Sequence, residues 1–153
     1  MLTDHIERII KEKLKGSPTD DQIKLIRSLA CFILDTNPSP ILIVKGYAGT
    51  GKTTTISAYV DALDSVKQKY VLLAPTGRAA KVLSSYSGKN AYTIHKKIYR
   101  QRSSKDGFGK FDMDVNLHTN TLFIVDEASM ISNETQANSI FGTGNLLKDL
   151  MTY

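Results

Sequence analysis

The chain has 153 residues, of which 41% are hydrophobic and 23% are charged, and its formal net charge is +5. This length suits one domain with its own hydrophobic core, and the composition is that of a soluble globular protein rather than a disordered or fibrous one. No apolar run approaches the roughly 18 residues of a membrane span, and the N-terminal residues show no signal-peptide design.

Two amphipathic helices are predicted at the start of the chain. Apolar residues at helical spacing predict the first over 2–14 and the second over 20–34. Thr19 is a good N-cap for the second helix, and Gln22 stands three residues later, so the two predict a capping box. Cys31, the single cysteine, excludes an internal disulfide, and its apolar helical setting predicts a buried thiol and a cytoplasmic protein.

A phosphate-binding loop is predicted next. Residues 41–44 are four branched apolar residues, which predict a buried parallel strand, and 46–53 match Gly-x-x-x-x-Gly-Lys-Thr. A helix should follow, because Ile56, Tyr59, Val60 and Leu63 recur at helical spacing. The glycines let backbone N–H groups turn toward phosphate oxygens, Lys52 can reach the terminal phosphates, and the Thr53 hydroxyl can ligate Mg²⁺. The competing interpretation is a glycine turn that binds nothing.

The middle of the chain is predicted to continue the α/β pattern. Residues 70–74 predict a second strand, which Pro75-Thr76-Gly77 turns into a short helix. Residues 84–90 are predicted to form a loop, after which Thr93 could cap a short helix.

The last third contains one more predicted strand. Residues 100–119 are polar and lack periodicity, so they predict either a surface excursion or a small hairpin around 107–109. Residues 121–125 predict a third buried strand, and 132–144 predict irregular structure. A helix should begin at Leu146.

The third strand delivers two carboxylates, Asp126 and Glu127. An apolar strand that ends in Asp-Glu, in a chain with a P-loop, has the Walker B arrangement. It predicts that Asp126 holds Mg²⁺ through water and that Glu127 polarises the attacking water. Without the P-loop, a solvated acidic pair would be the better interpretation.

Basic residues are concentrated in the middle of the chain. Residues 78–110 carry nine basic side chains and one acidic, a net charge of +8, whereas 111–153 have a net charge of −5. Tyr86, Tyr92 and Tyr99 interleave with the basic residues. The combination indicates a polyanion partner such as nucleic acid, while charge alone leaves a solvated lysine-rich surface equally open.

Several motifs together resemble those of RecD-like superfamily 1 DNA helicases. They are Gly-Tyr-Ala-Gly-Thr-Gly-Lys-Thr at 46–53, Ala-Pro-Thr-Gly-Arg-Ala-Ala at 74–80, Thr-Ile-His at 93–95 and Val-Asp-Glu-Ala-Ser-Met at 125–130. The resemblance covers about 17–133. It implies an α/β P-loop NTPase (RecA-like) domain, a parallel sheet flanked by helices, in a motor that moves 5′ to 3′ on single-stranded DNA.

The resemblance also implies roles for individual residues. Gln22 looks like the family's Q motif and would hydrogen-bond adenine, although it could serve only its capping box. The nucleotide-binding residues would be Gln22, Gly46, Ala48, Gly49, Thr50, Gly51, Lys52, Thr53 and Thr54. The catalytic residues would be Lys52 and Glu127, and the Mg²⁺ ligands Thr53 and Asp126. The DNA contacts would be Pro75, Thr76, Gly77, Thr93 and His95. Thr76 could instead be only a helix cap, and His95 a packed surface histidine.

The family's pattern continues beyond what this chain contains. It adds a strand with a Gly-Asp and Gln motif, lying between the P-loop and Walker B strands, and a second RecA-like domain that supplies an arginine. We therefore expect a fragment or truncated gene product with an unfilled central sheet position, weak nucleotide binding and negligible hydrolysis. Its parts would be N-terminal helices at 1–36, a Walker A to Walker B core at 41–133, and a small insertion at 100–119 where the family places its strand-separating pin.

Two other functions fit parts of the sequence. A P-loop kinase of a small metabolite would need an arginine-bearing lid and an acceptor pocket, and no segment resembles either. A non-catalytic remnant that only binds nucleic acid or a partner protein would have a DNA affinity that falls with salt but does not respond to ATP.

Overall fold

The computed structural model describes residues 1–102 and 109–153. The chain divides into two compact units, Met1–Lys69 and Tyr70–Tyr153, and each is described by itself. Among the helices of the described residues, none has the length and apolar character needed to cross a membrane.

The first unit is built from three helices: α1 (Leu2–Lys13), α2 (Asp20–Ile33) and α3 (Lys52–Ser65). All three were predicted from apolar periodicity and are confirmed. Their buried faces form a core that contains Ile6, Ile10, Ile26, Leu29, Ala30, Tyr59, Val60 and Leu63. The predicted capping box is also present, because the Thr19 hydroxyl accepts from the Gln22 N–H and the Gln22 side chain accepts from the Thr19 N–H. It fixes the start of α2.

The predicted strand at 41–44 is wrong. The segment has no regular secondary structure, and Ile41 and Ile43 are 63% and 72% exposed. Branched apolar residues favour a strand, but a strand exists only where a neighbour completes its backbone hydrogen bonds. Among the described strands, none pairs with this segment.

The prediction that Cys31 is buried is also wrong, because its side chain is exposed. The buried stripe of α2 consists of Ile26, Leu29 and Ala30. Residue 31 lies about 100° further around the helix than residue 30, which takes it off that stripe.

The second unit contains a parallel sheet of three strands. They are β1 (Lys69–Ala74), β2 (Ala91–Thr93) and β5 (Thr121–Val125), and strands β3 and β4 are described below. Their order is β2-β1-β5, and the register pairs Leu72 with Ala91 and Ala74 with Thr93. The predictions of strands at 70–74 and 121–125 are confirmed, but the side chains of 121–125 are half-buried rather than buried as predicted. Helices α4 (Gly77–Ser87), α5 (Ile94–Ile98) and α6 (Leu146–Thr152) and a 3₁₀ turn (Ala128–Met130) complete the unit.

A two-stranded antiparallel ribbon follows α5. Strand β3 (Tyr99–Gln101) pairs with β4 (Phe111–Met113). This agrees with the hairpin interpretation of 100–119, although 107 and 108 lie outside the described residues. Residues 132–144 are irregular, as predicted.

The predicted loop at 84–90 is wrong at its start, because α4 continues to Ser87. The helix ends at Gly88, whose φ of +65° is left-handed and therefore suits glycine. The Ser87 hydroxyl donates to the Leu83 carbonyl, so this serine is satisfied inside the helix.

One hydrophobic cluster holds the second unit together. Its buried members come from β1, α5 and β3, and they are Val71, Leu73, Ile94, Ile98 and Tyr99. Half-buried residues from the later segments, including Phe111, Phe123, Phe141, Leu146 and Leu150, pack against them. The cluster thereby joins α6 and the irregular 132–144 segment to the sheet.

Candidate functional site

The glycine loop before α3 adopts a left-handed backbone at two positions. Gly49 and Gly51 have φ values of +78° and +79°, a region that residues with a Cβ rarely enter. Gly51 is also the N-cap of α3, and a Cβ there would overlap the side-chain amide of Gln22. The loop therefore requires glycine at 49 and 51 for its backbone shape, and a Cβ at 51 would also displace the end of the Gln22 side chain.

Lys52 begins α3 and folds back over the loop. Its Nζ donates to the Gly46 carbonyl at 2.5 Å and to the Tyr47 carbonyl at 2.6 Å. The Thr50 hydroxyl donates to the same Tyr47 carbonyl at 2.8 Å. The first N–H groups of a helix lack intrahelical acceptors and carry partial positive charge. An ammonium, a helix start and a glycine-shaped backbone thus converge on one small region, a combination suited to phosphate.

Gln22 connects the start of α2 to this loop. Beyond its capping box, its Nε2 donates to the Thr55 hydroxyl at 3.3 Å and to the Gly51 carbonyl at 3.5 Å. Thr55 is fully buried, and its hydroxyl donates to the Gly51 carbonyl at 3.0 Å. Sequence reasoning missed Thr55. Its place one helical turn after Gly51 is the signal that could have identified it.

The two predicted carboxylates follow β5 directly. The Asp126 N–H donates to the Leu73 carbonyl of β1 at 2.9 Å, and the Glu127 N–H donates to Asp126 Oδ1 at 2.9 Å. Glu127 is exposed and has a φ of +54°. A left-handed backbone at a residue other than glycine costs about 1 kcal/mol or more and is concentrated at functional sites.

The described residues contain no group of three or more His, Cys, Asp or Glu side chains that could hold a metal ion. The Thr53 hydroxyl and one Asp126 carboxylate are hard oxygen ligands, and Mg²⁺ commonly binds through one or two such groups together with water and phosphate. That Thr53 and Asp126 hold the same Mg²⁺ ion stays a prediction.

The remaining candidate residues lie where parallel strands end. Pro75, Thr76 and Gly77 follow β1, and Thr93 ends β2, at the position paired with Ala74. The carboxyl ends of parallel strands share one edge of a sheet, so these residues and Asp126 lie along that edge. Their contact with DNA stays a prediction.

Both threonines at this edge are helix caps. The Thr76 hydroxyl accepts from the Ala79 N–H, and the Thr93 hydroxyl accepts from the Lys96 N–H, each at 3.2 Å. The caps satisfy two of the N–H groups that start α4 and α5. Each hydroxyl keeps its own proton to donate, so capping and contact with a phosphate are compatible.

His95 packs against two aromatic side chains, Phe141 and Tyr99. Its ring centroid is 4.9 Å from that of Phe141 and 5.7 Å from that of Tyr99. Burial lowers the pKa of His95 below its usual value, which favours the neutral imidazole. A neutral ring can bind a phosphate only by hydrogen bonding, and its contact with DNA stays a prediction.

Comparisons with known proteins agree with these features. A family profile described as AAA domain matches residues 19–142. The ATP-dependent RecD2 DNA helicase of Deinococcus radiodurans is 33% identical over 124 residues, which are 81% of this chain and 16% of that protein. The multifunctional conjugation protein TraI of Escherichia coli K12 is 30% identical over 138 residues, 85% of this chain and 7% of that protein.

The ATP-dependent DNA helicase dda of Enterobacteria phage T4 is 49% identical over 53 residues, which are 34% of this chain and 12% of the helicase. No solved structure gives a significant match. In the alignments with these three relatives, the chain spans at most 16% of the relative's length.

Proposed function

Because the chain belongs to the AAA domain family that the match over 19–142 defines, we propose that it is the ATP-binding segment of a DNA helicase motor. The single observation that carries this proposal is the loop at 46–53. Its left-handed glycines and the Lys52 ammonium at the start of α3 suit a nucleoside triphosphate. The similarity to RecD2, TraI and dda supports a helicase-like ATPase.

In the proposed complex, the phosphates lie against the backbone N–H groups of the loop and the Lys52 ammonium. Thr53 and Asp126 would hold Mg²⁺, which neutralises charge that develops on the phosphate oxygens during transfer. Glu127 would orient and polarise the attacking water. Gln22 would add a hydrogen bond to adenine.

We also propose that single-stranded DNA binds along the edge of the sheet formed by Pro75, Thr76, Gly77 and Thr93, with His95 beside it. Two capped helix starts at this edge and the net charge of +8 over 78–110 support a polyanionic ligand. Movement in the 5′ to 3′ direction would follow from the resemblance to RecD-like helicases.

Hydrolysis by these 153 residues alone should be slow. In the resembled family a second domain supplies the arginine that stabilises the transition state, an effect worth about a thousandfold or more. We therefore expect this chain to bind ATP without rapid turnover.

Isothermal titration calorimetry with ATP and Mg²⁺, together with fluorescence anisotropy of a labelled oligothymidine, tests the proposal. We expect saturable ATP binding that EDTA weakens, DNA affinity that falls steeply with salt, and a DNA affinity that ATP changes. Failure to bind ATP would contradict the proposal. DNA binding that ignores ATP would favour the nucleic-acid-binding remnant instead.

Gln22→Ala should lower ATP affinity about fivefold to tenfold while leaving GTP affinity nearly unchanged, because one hydrogen bond to adenine is lost. Calorimetry with both nucleotides measures this. Thr19→Ala is the matched control, because it removes the side-chain cap of α2 but keeps the Gln22 amide. Equal losses of ATP affinity in both variants would show that Gln22 acts only through the cap.

A further inference from the structure

A basic and apolar groove of about 370 Å³ lies in the second unit, beside the proposed DNA edge. Its basic side comes from β2, α5 and β3, and its apolar side from the segment after β4. The residues used below are Tyr92, Lys96, Lys97, Arg100, Val115 and Leu117. We call this surface the Tyr92 groove.

Tyr92 and two lysines form one unit on the basic side. The Lys96 and Lys97 ammonium groups lie 5.8 Å and 5.9 Å from the centroid of the Tyr92 ring, which is within cation–π range. The tyrosine is 37% exposed. An exposed ring with two adjacent cations offers a stacking surface and phosphate partners at the same place.

The opposite side of the groove is apolar and exposed. Val115 and Leu117 are 72% and 84% exposed, so a ligand that covers them gains from burial. Asp114 is the acidic group facing the groove, and its carboxylate accepts from Arg100 at 2.6 Å. Asp114 also attracts Lys97, but it is one carboxylate against Lys96, Lys97 and Arg100, so the groove favours an anion.

We propose that the Tyr92 groove binds a nucleotide of single-stranded DNA, with its base on the Tyr92 ring and its phosphate beside Lys96 and Lys97. The bases of single-stranded DNA have flat apolar faces, and its phosphates are regularly spaced negative charges. Both features match this groove. Tyr92 directly precedes Thr93, so one strand can contact both the sheet edge and the groove. The inference rests on the proposed DNA binding and adds residues to it.

Removing two charges tests the phosphate contacts. The Lys96→Gln/Lys97→Gln protein should bind oligothymidine about tenfold more weakly, and the slope of log affinity against log salt should fall by about 1.4, as expected for two single-strand phosphate contacts. Lys110→Gln/Lys148→Gln is the matched control, because both lysines are exposed residues of the same unit that do not line the groove. The control should keep nearly the original slope.

Base stacking has its own readout, because the chain contains no tryptophan. Tyr92→Trp creates a single indole fluorophore that oligothymidine should quench, whereas inorganic polyphosphate of equal charge should leave it bright. Tyr92→Ala should weaken DNA binding about tenfold, and Tyr92→Phe should keep most of the affinity.

The outcomes separate the two ideas. If the unmodified chain fails to bind oligothymidine, the DNA half of the proposed function is wrong. If it binds but both double lysine variants lose affinity equally, or if polyphosphate quenches the Tyr92→Trp protein as strongly as DNA does, the groove is only part of a diffuse basic surface and this inference is overturned.

Discussion

Lys52→Ala should lower the affinity of the chain for ATP and Mg²⁺ by about tenfold to a hundredfold. The Lys52 Nζ already lies within hydrogen-bonding distance of two loop carbonyls, at Gly46 and Tyr47, so little movement is needed to hold a phosphate beside the loop. A hydrogen bond to a charged group contributes about 1.5–3 kcal/mol, which sets the size of the loss. Calorimetric titration with ATP and Mg²⁺ measures the effect.

The matched control for this change is Lys45→Ala, which removes the same charge from an exposed residue just before the loop. It should lower ATP affinity by no more than about twofold, since exposed charges are screened. Circular dichroism should show unchanged helix content in both variants. If Lys45→Ala weakens ATP binding as much as Lys52→Ala, the loop contributes only general positive charge.

The P-loop could be predicted from sequence because its determinants are local. Glycines at 49 and 51 specify the backbone, and the apolar face that starts at Ile56 specifies the helix after it. The capping box of Thr19 and Gln22 was predictable for the same reason, since its partners are three residues apart. Apolar spacing within short segments was enough to predict all three helices of the first unit.

Features that depend on distant partners were missed. The apolar segment 41–44 has the composition of a strand, but composition cannot supply a hydrogen-bonding neighbour. The Tyr92 groove combines residues near 92–100 with residues near 114–118. No spacing rule links those segments, because β3 and β4 must pair before they become neighbours.

Asp149 is the clearest feature that the sequence did not reveal. Its side chain is 1% exposed, and its partners lie in segments far apart in the chain. Oδ2 accepts from the Tyr99 hydroxyl at 2.6 Å and from the Thr143 N–H at 3.0 Å, while Oδ1 accepts from the Thr143 hydroxyl at 2.7 Å. A Cβ at Gly142 would overlap the carboxylate, so the glycine there leaves room for it. The network ties α6 to β3 and to the 132–144 segment.

The free energy of unfolding should fall by about 2–4 kcal/mol in Asp149→Ala. The change leaves the buried Tyr99 hydroxyl without its acceptor, which costs about 1–3 kcal/mol before relaxation, and it removes two hydrogen bonds from Thr143, an exposed residue. Urea unfolding measures the total loss of unfolding free energy. Hydrogen exchange of the α6 amides locates the loss in the second unit, because these amides should exchange faster than those of α1.

The control for the Asp149 change is Asp21→Ala, which removes an exposed carboxylate from the first turn of α2 and should cost at most about 1 kcal/mol. Tyr99→Phe removes one donor of the network, and its effect should not add to that of Asp149→Ala, because the two groups bond each other. Equal losses in Asp21→Ala and Asp149→Ala, or full additivity with Tyr99→Phe, would show that the buried network contributes little.

The stability difference between the original chain and Asp149→Ala should depend on pH at both extremes. Burial alone would raise the pKa of Asp149, but the hydrogen bonds from Tyr99 and Thr143 outweigh it, and the net pKa is lowered. A lowered carboxyl pKa stabilises the folded state above the unfolded value near 4, and this contribution is lost as the pH falls through the folded pKa.

Burial and the Asp149 carboxylate raise the pKa of Tyr99, so its contribution is present below about pH 10 and is lost above it. Urea unfolding of both proteins should therefore give the widest difference between about pH 5 and pH 9, and a difference that stays constant down to pH 3 would contradict a lowered pKa at Asp149.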